Sequence, residues 1–415
     1  MRRFRAAPRR TLPAVRKSTV EAVNRLTARW AANRPEGASE PADPAGGTVF
    51  TAAGVWPLLA LLADGAEGPA RTELEQALGI PADTAADAAR ELLAALDGVR
   101  GLRAATGLWT RRDLPLEERW SAGLPEGAHR ALTGDPGTDR EALDAWAADR
   151  TDGLIDTMPA AVDRRTDLVL ASALALRLTW EEPFAERPVP APHGPWNGLR
   201  LRGLTVTHAF PDRIRVARGP CGPVTLPAVP GAPGSSGADV HLLLGEPGAP
   251  PADVLTTGIA EVTGALASST ASELPDGDAG PGLSLRTVDS ARPEPVVRID
   301  TVAFEIRAEH DLLRHPGLFG LRTAAEGPGH FPGISAAPLG VGSARQSAMA
   351  RFHAEGFEAA AVTAVTMYRG GPRRSPYRVR RAEFGVSRPF GFLAVDRGSG
   401  LVLFAGWVTD PATLT

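Results

Sequence analysis

Two neighbouring stretches near the C-terminus hold the residues whose types and spacing could take part in chemistry. Glu355-Gly356-Phe357-Glu358-Ala359-Ala360-Ala361-Val362-Thr363 is a run of mostly small side chains, and a loop rich in Arg, Gly and Pro follows it. Such a run suits neither a solvated loop, which would be more polar, nor a core strand, which would be larger. It suits a segment tolerated in two places, stretched out in solvent or slotted as an extra strand into a sheet. The loop beyond carries Arg369, Gly370, Gly371, Arg373 and Arg374. The chemistry on offer is a peptide bond to be cut in a strained bait loop.

Catalytic groupings are missing from the pattern. There is no G-x-S-x-G elbow, and Gly234-Ser235-Ser236-Gly237 lies in a Pro/Gly loop without that form. The eight histidines are scattered, with no H-E-x-x-H or Cys/His cluster, and no G-x-x-x-x-G-K cradles a phosphate. Cys221 is alone, so no intramolecular disulfide forms, and it reads as a passive thiol. The expectation is a protein that is not an enzyme and needs no metal or cofactor.

The 415 residues are 43% hydrophobic and 22% charged, which provides an ample core. A formal net charge of -3 argues against nucleic-acid binding. Two basic clusters stand out, residues 1–17 and Arg369 to Arg381; the first reads as a solvated, flexible segment, and for the second that reading stands beside a functional one. Lys17 is the only lysine, the imprint of a GC-rich coding sequence. No apolar run approaches the ~20 residues that span a bilayer, so no membrane association is expected. The basic N-terminus lacks the apolar region of a signal peptide. A cytoplasmic location is therefore expected, or an extracellular one reached by a route the sequence does not display.

The elements that would position the loop can be read from periodicity. Ser18 with Glu21 three residues on forms a capping-box pattern before a helix that stops at Asn33-Arg34-Pro35. Further helices are expected over Val55 to Ala63, Glu67 to Leu78 with Gly79 beyond, Ala85 to Leu96 and Thr138 to Ala148. Leu168 to Leu176 reads as a strand covered on both faces. Pro and Gly break Pro188 to Gly282 into short strands and loops. Val296 to Phe304 alternates as a strand does, Asp311 to Leu318 reads as a short helix, and Phe390 to Val395 with Leu401 to Val408 forms a hairpin. Helices early and strands late give an α+β arrangement, with residues 1–17 as a flexible tail and 18–415 as one domain.

Several blocks, in order, carry a resemblance over roughly Ser18 to Pro411. They are Gly68 to Gly79, Gly107-Leu108-Trp109 followed by Leu114-Pro115-Leu116, and Ala145-Trp146 followed by Thr151-Asp152-Gly153-Leu154-Ile155. Trp180-Glu181-Glu182-Pro183-Phe184, Phe331-Pro332-Gly333-Ile334-Ser335, Arg388-Pro389-Phe390 and Leu403 to Pro411 complete the set. Together with the small-residue run they resemble the serpin family, and the chain is similar to a divergent, bacterial-type member. That resemblance implies a fold of three β-sheets and about nine helices, with a reactive-centre loop at about 355–388. It implies a monomer whose partner is a serine protease, trypsin-like or dibasic-cleaving, since the pockets of such enzymes hold a guanidinium against an acid. The protease cuts the loop, and the freed arm enters the main sheet before the acyl-enzyme hydrolyses.

In an inserted strand Phe357, Ala359, Ala361 and Thr363 share one face, and Glu358, Ala360 and Val362 the other. By the family's spacing Phe357 is the first residue to enter on the buried side, where inhibitory relatives have Thr or Ser. Overpacking there would cost ~1–3 kcal/mol, so Phe357 weighs against inhibition and Phe357→Thr is expected to trap more protease. The resemblance also implies a sheet-opening cluster at Thr51, Gly54, Ser172 and Gln346, where Gly54 removes one polar member and the others build a smaller network. The strict count puts the scissile bond at Gly370-Gly371, with Arg369 favoured over Arg373-Arg374 as the specificity residue. Two functions stay open, protease inhibition and a non-inhibitory binding or interaction role.

Overall fold

Leu168–Leu176 has apolar or small side chains at all nine positions, and all nine are buried. A strand of that kind needs cover on both faces, and the fold is built around it. The computed structural model describes residues 15–33, 47–160, 162–164, 166–190, 194–233, 237–357 and 376–414. Among them are three β-sheets and nine α-helices, none of the helices long and apolar enough to cross a membrane.

In the main sheet, His129–Leu132 runs parallel to Leu102–Arg111, which is antiparallel to Leu168–Leu176. Next comes Val341–Phe352, parallel to Leu168–Leu176 and paired from Val341↔Leu168 to Ala348↔Leu174. Phe304–Asp311 closes this run, antiparallel to Val341–Phe352. The alternating apolar side chains of these strands face two different cores, because successive residues point to opposite faces. Leu168, Leu170 and Leu174 join the main core. Val169, Ala171 and Ala173 pack under the helix Pro136–Arg150 with Trp109, Leu143 and Trp146, the two indoles meeting edge-on at 6.0 Å.

A second sheet joins the first described strand, Thr48–Phe50, to the last, Val402–Val408, and that strand to Phe390–Asp396. The third contains Ala185–Pro190, Arg200–His208, Val296–Val302, Tyr377–Gly385 and the hairpin Gly277–Gly280/Leu283–Ser290. The helix Ala52–Ala63 runs between the sheets with every residue buried.

Local readings differ from the structure where a signal competes with its context. The first helix is Lys17–Ala32, so Ser18 lies inside it and Arg16 takes the cap position without a side-chain bond. Asp311 to Leu318 is no single helix: Asp311 ends a strand, and a short 3-10 turn and the four-residue helix Pro316–Phe319 follow, because Pro316 breaks the run. Val296 to Phe304 breaks at Ala303 into two strands that serve different sheets. Within the Pro/Gly-rich stretch the helix Pro251–Val262 went unread.

Candidate functional site

Val341–Phe352 ends in a tight reversal. The His353 N–H donates to the Gly356 carbonyl at 3.1 Å, and the chain turns back as the short strand Gly356–Phe357. Gly356 pairs with Thr179, and Phe357 pairs with Leu178 on one side and Phe352 on the other, antiparallel to both. Only glycine fits at 356, because a Cβ would run into the Leu178 carbonyl. Gly356–Phe357 thus sits between Phe352 and Leu178, in line with the seam where Val341–Ala348 and Leu168–Leu174 pair.

Phe357 is 1% exposed. Its ring belongs to the main core, 6.3 Å from Phe392, which in turn lies 5.2 Å from Phe304. In the uncut chain an apolar pocket houses this ring; the overpacking expected on entry into an opened sheet concerns a different arrangement. The sequence shows a large residue where a small one is usual; the compensating rings come from strands up to about fifty residues away in sequence.

Trp180 and Phe184 hold the reversal from the other side. Trp180 donates its indole N–H to the His353 carbonyl at 2.8 Å and its backbone N–H to the Glu355 carbonyl at 3.1 Å. Its ring is 4.7 Å from Phe352, and the Phe184 N–H donates to Ala354 at 2.7 Å. Sequence reasoning used these residues only as a recognition block; their spacing was the available signal. Beside them opens a cleft of about 400 Å³ lined by Glu181, Arg213, Arg215, Asp239, His241 and Arg397. Its charges are matched in pairs, Arg213 with Glu181 at 2.8 Å and Arg397 with Asp239. Burial pushes the His241 imidazole below its ordinary pKa.

Thr51, Gly54, Ser172 and Gln346 lie together, but they do not form the expected side-chain network. The Gln346 side chain accepts from the Thr51 N–H at 2.9 Å and donates to the Thr51 carbonyl at 2.8 Å, all buried. It clips the first turn of Ala52–Ala63 to Val341–Phe352 through main-chain atoms, not hydroxyls. The Thr51 and Ser172 hydroxyls are buried and reach no hydrogen-bond partner among the described residues, so the three-member network is corrected to a two-member clip. Gly54 has a packing role, since a Cβ there would run into the Ser172 hydroxyl and Leu174. His310, passed over as one of the scattered histidines, pairs with Gln346 in register and bonds the Val49 carbonyl at 2.8 Å. The inward alternation Phe304, Ile306, Ala308, His310 was the signal for it.

Glu358, Ala359, Ala360, Ala361, Val362, Thr363, Arg369, Gly370, Gly371, Arg373 and Arg374 lie outside the described residues. So do residues 1–14 of the basic tail. Cys221 is partly buried in the turn between Ile214–Gly219 and Gly222–Pro230, and burial raises its thiol pKa. No three described His, Cys, Asp or Glu side chains gather as a metal site.

Residues 37–191 and 289–411 match the family model described as "Serpin (serine protease inhibitor)". Residues 192–288 fall outside that match, and they include Gly277–Gly280 and all but the end of Leu283–Ser290. The chain is 29% identical over 385 residues to serpin-Z6A of Oryza sativa subsp. japonica, covering 88% of this chain and 93% of the relative. It is 23% identical over 371 residues to an uncharacterized serpin-like protein of Thermococcus kodakarensis, covering 85% and 78%. One relative is from a plant and the other from an archaeon; neither is bacterial. Among solved structures, thyroxine-binding globulin in complex with thyroxine superposes with TM-score 0.69 at 15% identity, covering 95% of this chain and 99% of that one. Native protease nexin-1 with heparin gives 0.68 at 15% identity, covering 97% and 100%.

Proposed function

Because the chain belongs to the serpin family, we propose that it inhibits a serine protease by bait-loop cleavage, acyl-enzyme trapping and insertion of the freed arm. The observation that carries the reading is the hinge: Gly356–Phe357 already forms a strand between Phe352 and Leu178. The protease serine attacks a carbonyl of the loop, with Arg369, Gly370, Arg373 or Arg374 in its specificity pocket. The new amine end leaves with the C-terminal fragment, and the N-terminal arm stays esterified to the enzyme. That arm then continues from Phe357 down the seam and draws the protease along before water cleaves the ester.

The driving force is legible in the pairing. Leu168–Leu176 and Val341–Phe352 run parallel, and parallel pairing is slightly weaker per residue than antiparallel. An arm that keeps the direction of Phe357 replaces that one parallel ladder with two antiparallel ones. The inhibitor supplies no catalytic group and acts as a monomer on a trypsin-like or dibasic-cleaving enzyme.

A non-inhibitory binding role has one observation in its favour. The clip at Thr51 and Gln346, with Gly54 pressed on Ser172, ties the buried helix to both central strands. The test is incubation with trypsin at near-equal molar amounts and a denaturing gel. A boil-resistant band at the summed mass, absent with active-site-blocked trypsin, is expected, and sequencing the released fragment fixes the bait bond. Clean cleavage with active trypsin, repeated with subtilisin-like and elastase-like enzymes, would overturn the reading.

A further inference from the structure

The strand that follows the loop, Tyr377–Gly385, is bordered on both sides. On one side it runs parallel to Val296–Val302, paired from Val296↔Arg381 to Asp300↔Gly385. On the other it is antiparallel to Leu283–Ser290 along nearly its whole length, from Ser290↔Tyr377 to Leu283↔Phe384. That second neighbour is one arm of the hairpin lying almost wholly in the stretch the family model leaves unmatched. Side chains fasten the two. Arg286 pairs with Glu383, which Arg381 also meets at 2.9 Å. Arg380 donates to the Leu274 carbonyl and lies 3.6 Å from Asp276, whose carboxylate accepts from the Thr287 N–H and hydroxyl at 2.9 Å. Leu283 and Leu285 are buried opposite Phe384 and Ala382. Arg380 and Arg381, part of the second basic cluster of the sequence, are fastened into this sheet.

We propose that the hairpin is a clamp on the C-terminal root of the loop, so that the arm enters the main sheet only after the loop has been cut. The proposal rests on the inhibitory reading. Chain length sets the constraint. Nineteen residues separate Phe357 from Tyr377. An arm laid along the twelve residues of Val341–Phe352 would span ~40 Å at ~3.3 Å per residue. The roughly seven residues left would reach only ~24 Å, short of the ~40 Å back along that strand to the level of Phe357, where the loop begins. Full insertion of an uncut loop therefore requires Tyr377–Gly385 to peel out of its sheet. With the hairpin in place, peeling breaks two ladders and the Glu383 and Asp276 ion pairs, instead of one ladder. Cleavage removes the requirement, since the severed arm no longer pulls on that strand.

Two variants test the clamp. Val288→Pro puts a ring without an N–H into the hairpin strand, and Arg286→Ala with Arg380→Ala removes the fastenings while leaving Leu283 and Leu285 in place. Each intact protein is held at raised temperature for days, sampled for heat resistance, and checked on a denaturing gel for an uncut chain. Uncut wild type is expected to stay heat-labile, while the variants accumulate an uncut, heat-resistant form at least tenfold faster. Variants that convert no faster than wild type would overturn the clamp, provided that wild type cut in its loop becomes heat-resistant. Cut wild type that stays heat-labile would instead overturn loop insertion, and the clamp with it.

Discussion

Replacing Phe357 by Ala or Thr should detach the hinge and make the protein a poorer trap, the reverse of what the sequence suggests on its own. The ring is 1% exposed in the main core, and Phe→Ala changes at such sites cost ~3–5 kcal/mol. The described part of the strand it anchors is two residues long, so the loss falls on hinge attachment rather than on the whole fold. At ~1.4 kcal/mol per factor of ten, ~3 kcal/mol makes the detached hinge about a hundredfold more populated. Insertion would then have to nucleate before it could propagate, while deacylation proceeds at its own rate. Hydrogen exchange at the Trp180 amide, which donates to the Glu355 carbonyl, reads the detachment. The yield of boil-resistant complex with trypsin reads its consequence. Unchanged exchange together with a raised yield would show that the ring obstructs insertion, and would refute the reasoning.

Gly54→Ala should destabilise by ~1–3 kcal/mol, because its methyl meets Ser172 and Leu174 in a closed interior; a thermal melt checks this. Gln346→Leu leaves the Thr51 N–H and carbonyl buried without their partner, ~2–4 kcal/mol by denaturant titration, and should speed sheet opening after loop cleavage. Stability should fall as pH drops from about 6.5 to about 4. His208 is buried at the end of Arg200–His208, its Nδ1 accepting from the Phe210 N–H at 3.1 Å. Burial, helped by nearby Arg213, pushes its pKa down to about 4. The unfolded chain therefore binds the extra proton first in that window, and the shift corresponds to roughly 3 kcal/mol. His208→Gln should flatten the slope between pH 4 and 6.5, and an unchanged slope would assign it to other groups.

The parts of the fold that the sequence displays are those written in local periodicity. Leu168–Leu176 and the hairpin Phe390–Asp396/Val402–Val408 needed no more than apolar runs and a turn. Around Thr51 and Gln346 the sequence pointed to neighbours but not to their bonding. Gln346 and Thr51 could be paired by resemblance, yet the use of main-chain atoms depends on where Thr51 caps its helix. The fit of Phe357 depends on Phe392 and Phe304, which only the folded chain brings near. The double border on Tyr377–Gly385 was hidden because Gly277, Gly280 and Gly282 made Leu283–Ser290 look like the end of an irregular stretch.

The cluster beneath the helix Pro136–Arg150 has a mechanical consequence. Its buried members come from that helix and the chain just after it, from His129–Leu132, and from Leu102–Arg111 and Leu168–Leu176; none comes from Val341–Phe352. On that face the molecule is divided by a fault line along the seam, crossed in the described residues by the small patch of Leu154, Ala175 and Met349. Parting the sheet by one strand spacing, ~4.8 Å, would carry everything on one bank as a rigid block. The indole pair Trp109–Trp146 would ride along undisturbed, and friction on this face would come down to the sulfur and methyls of Met349 sliding past Leu154.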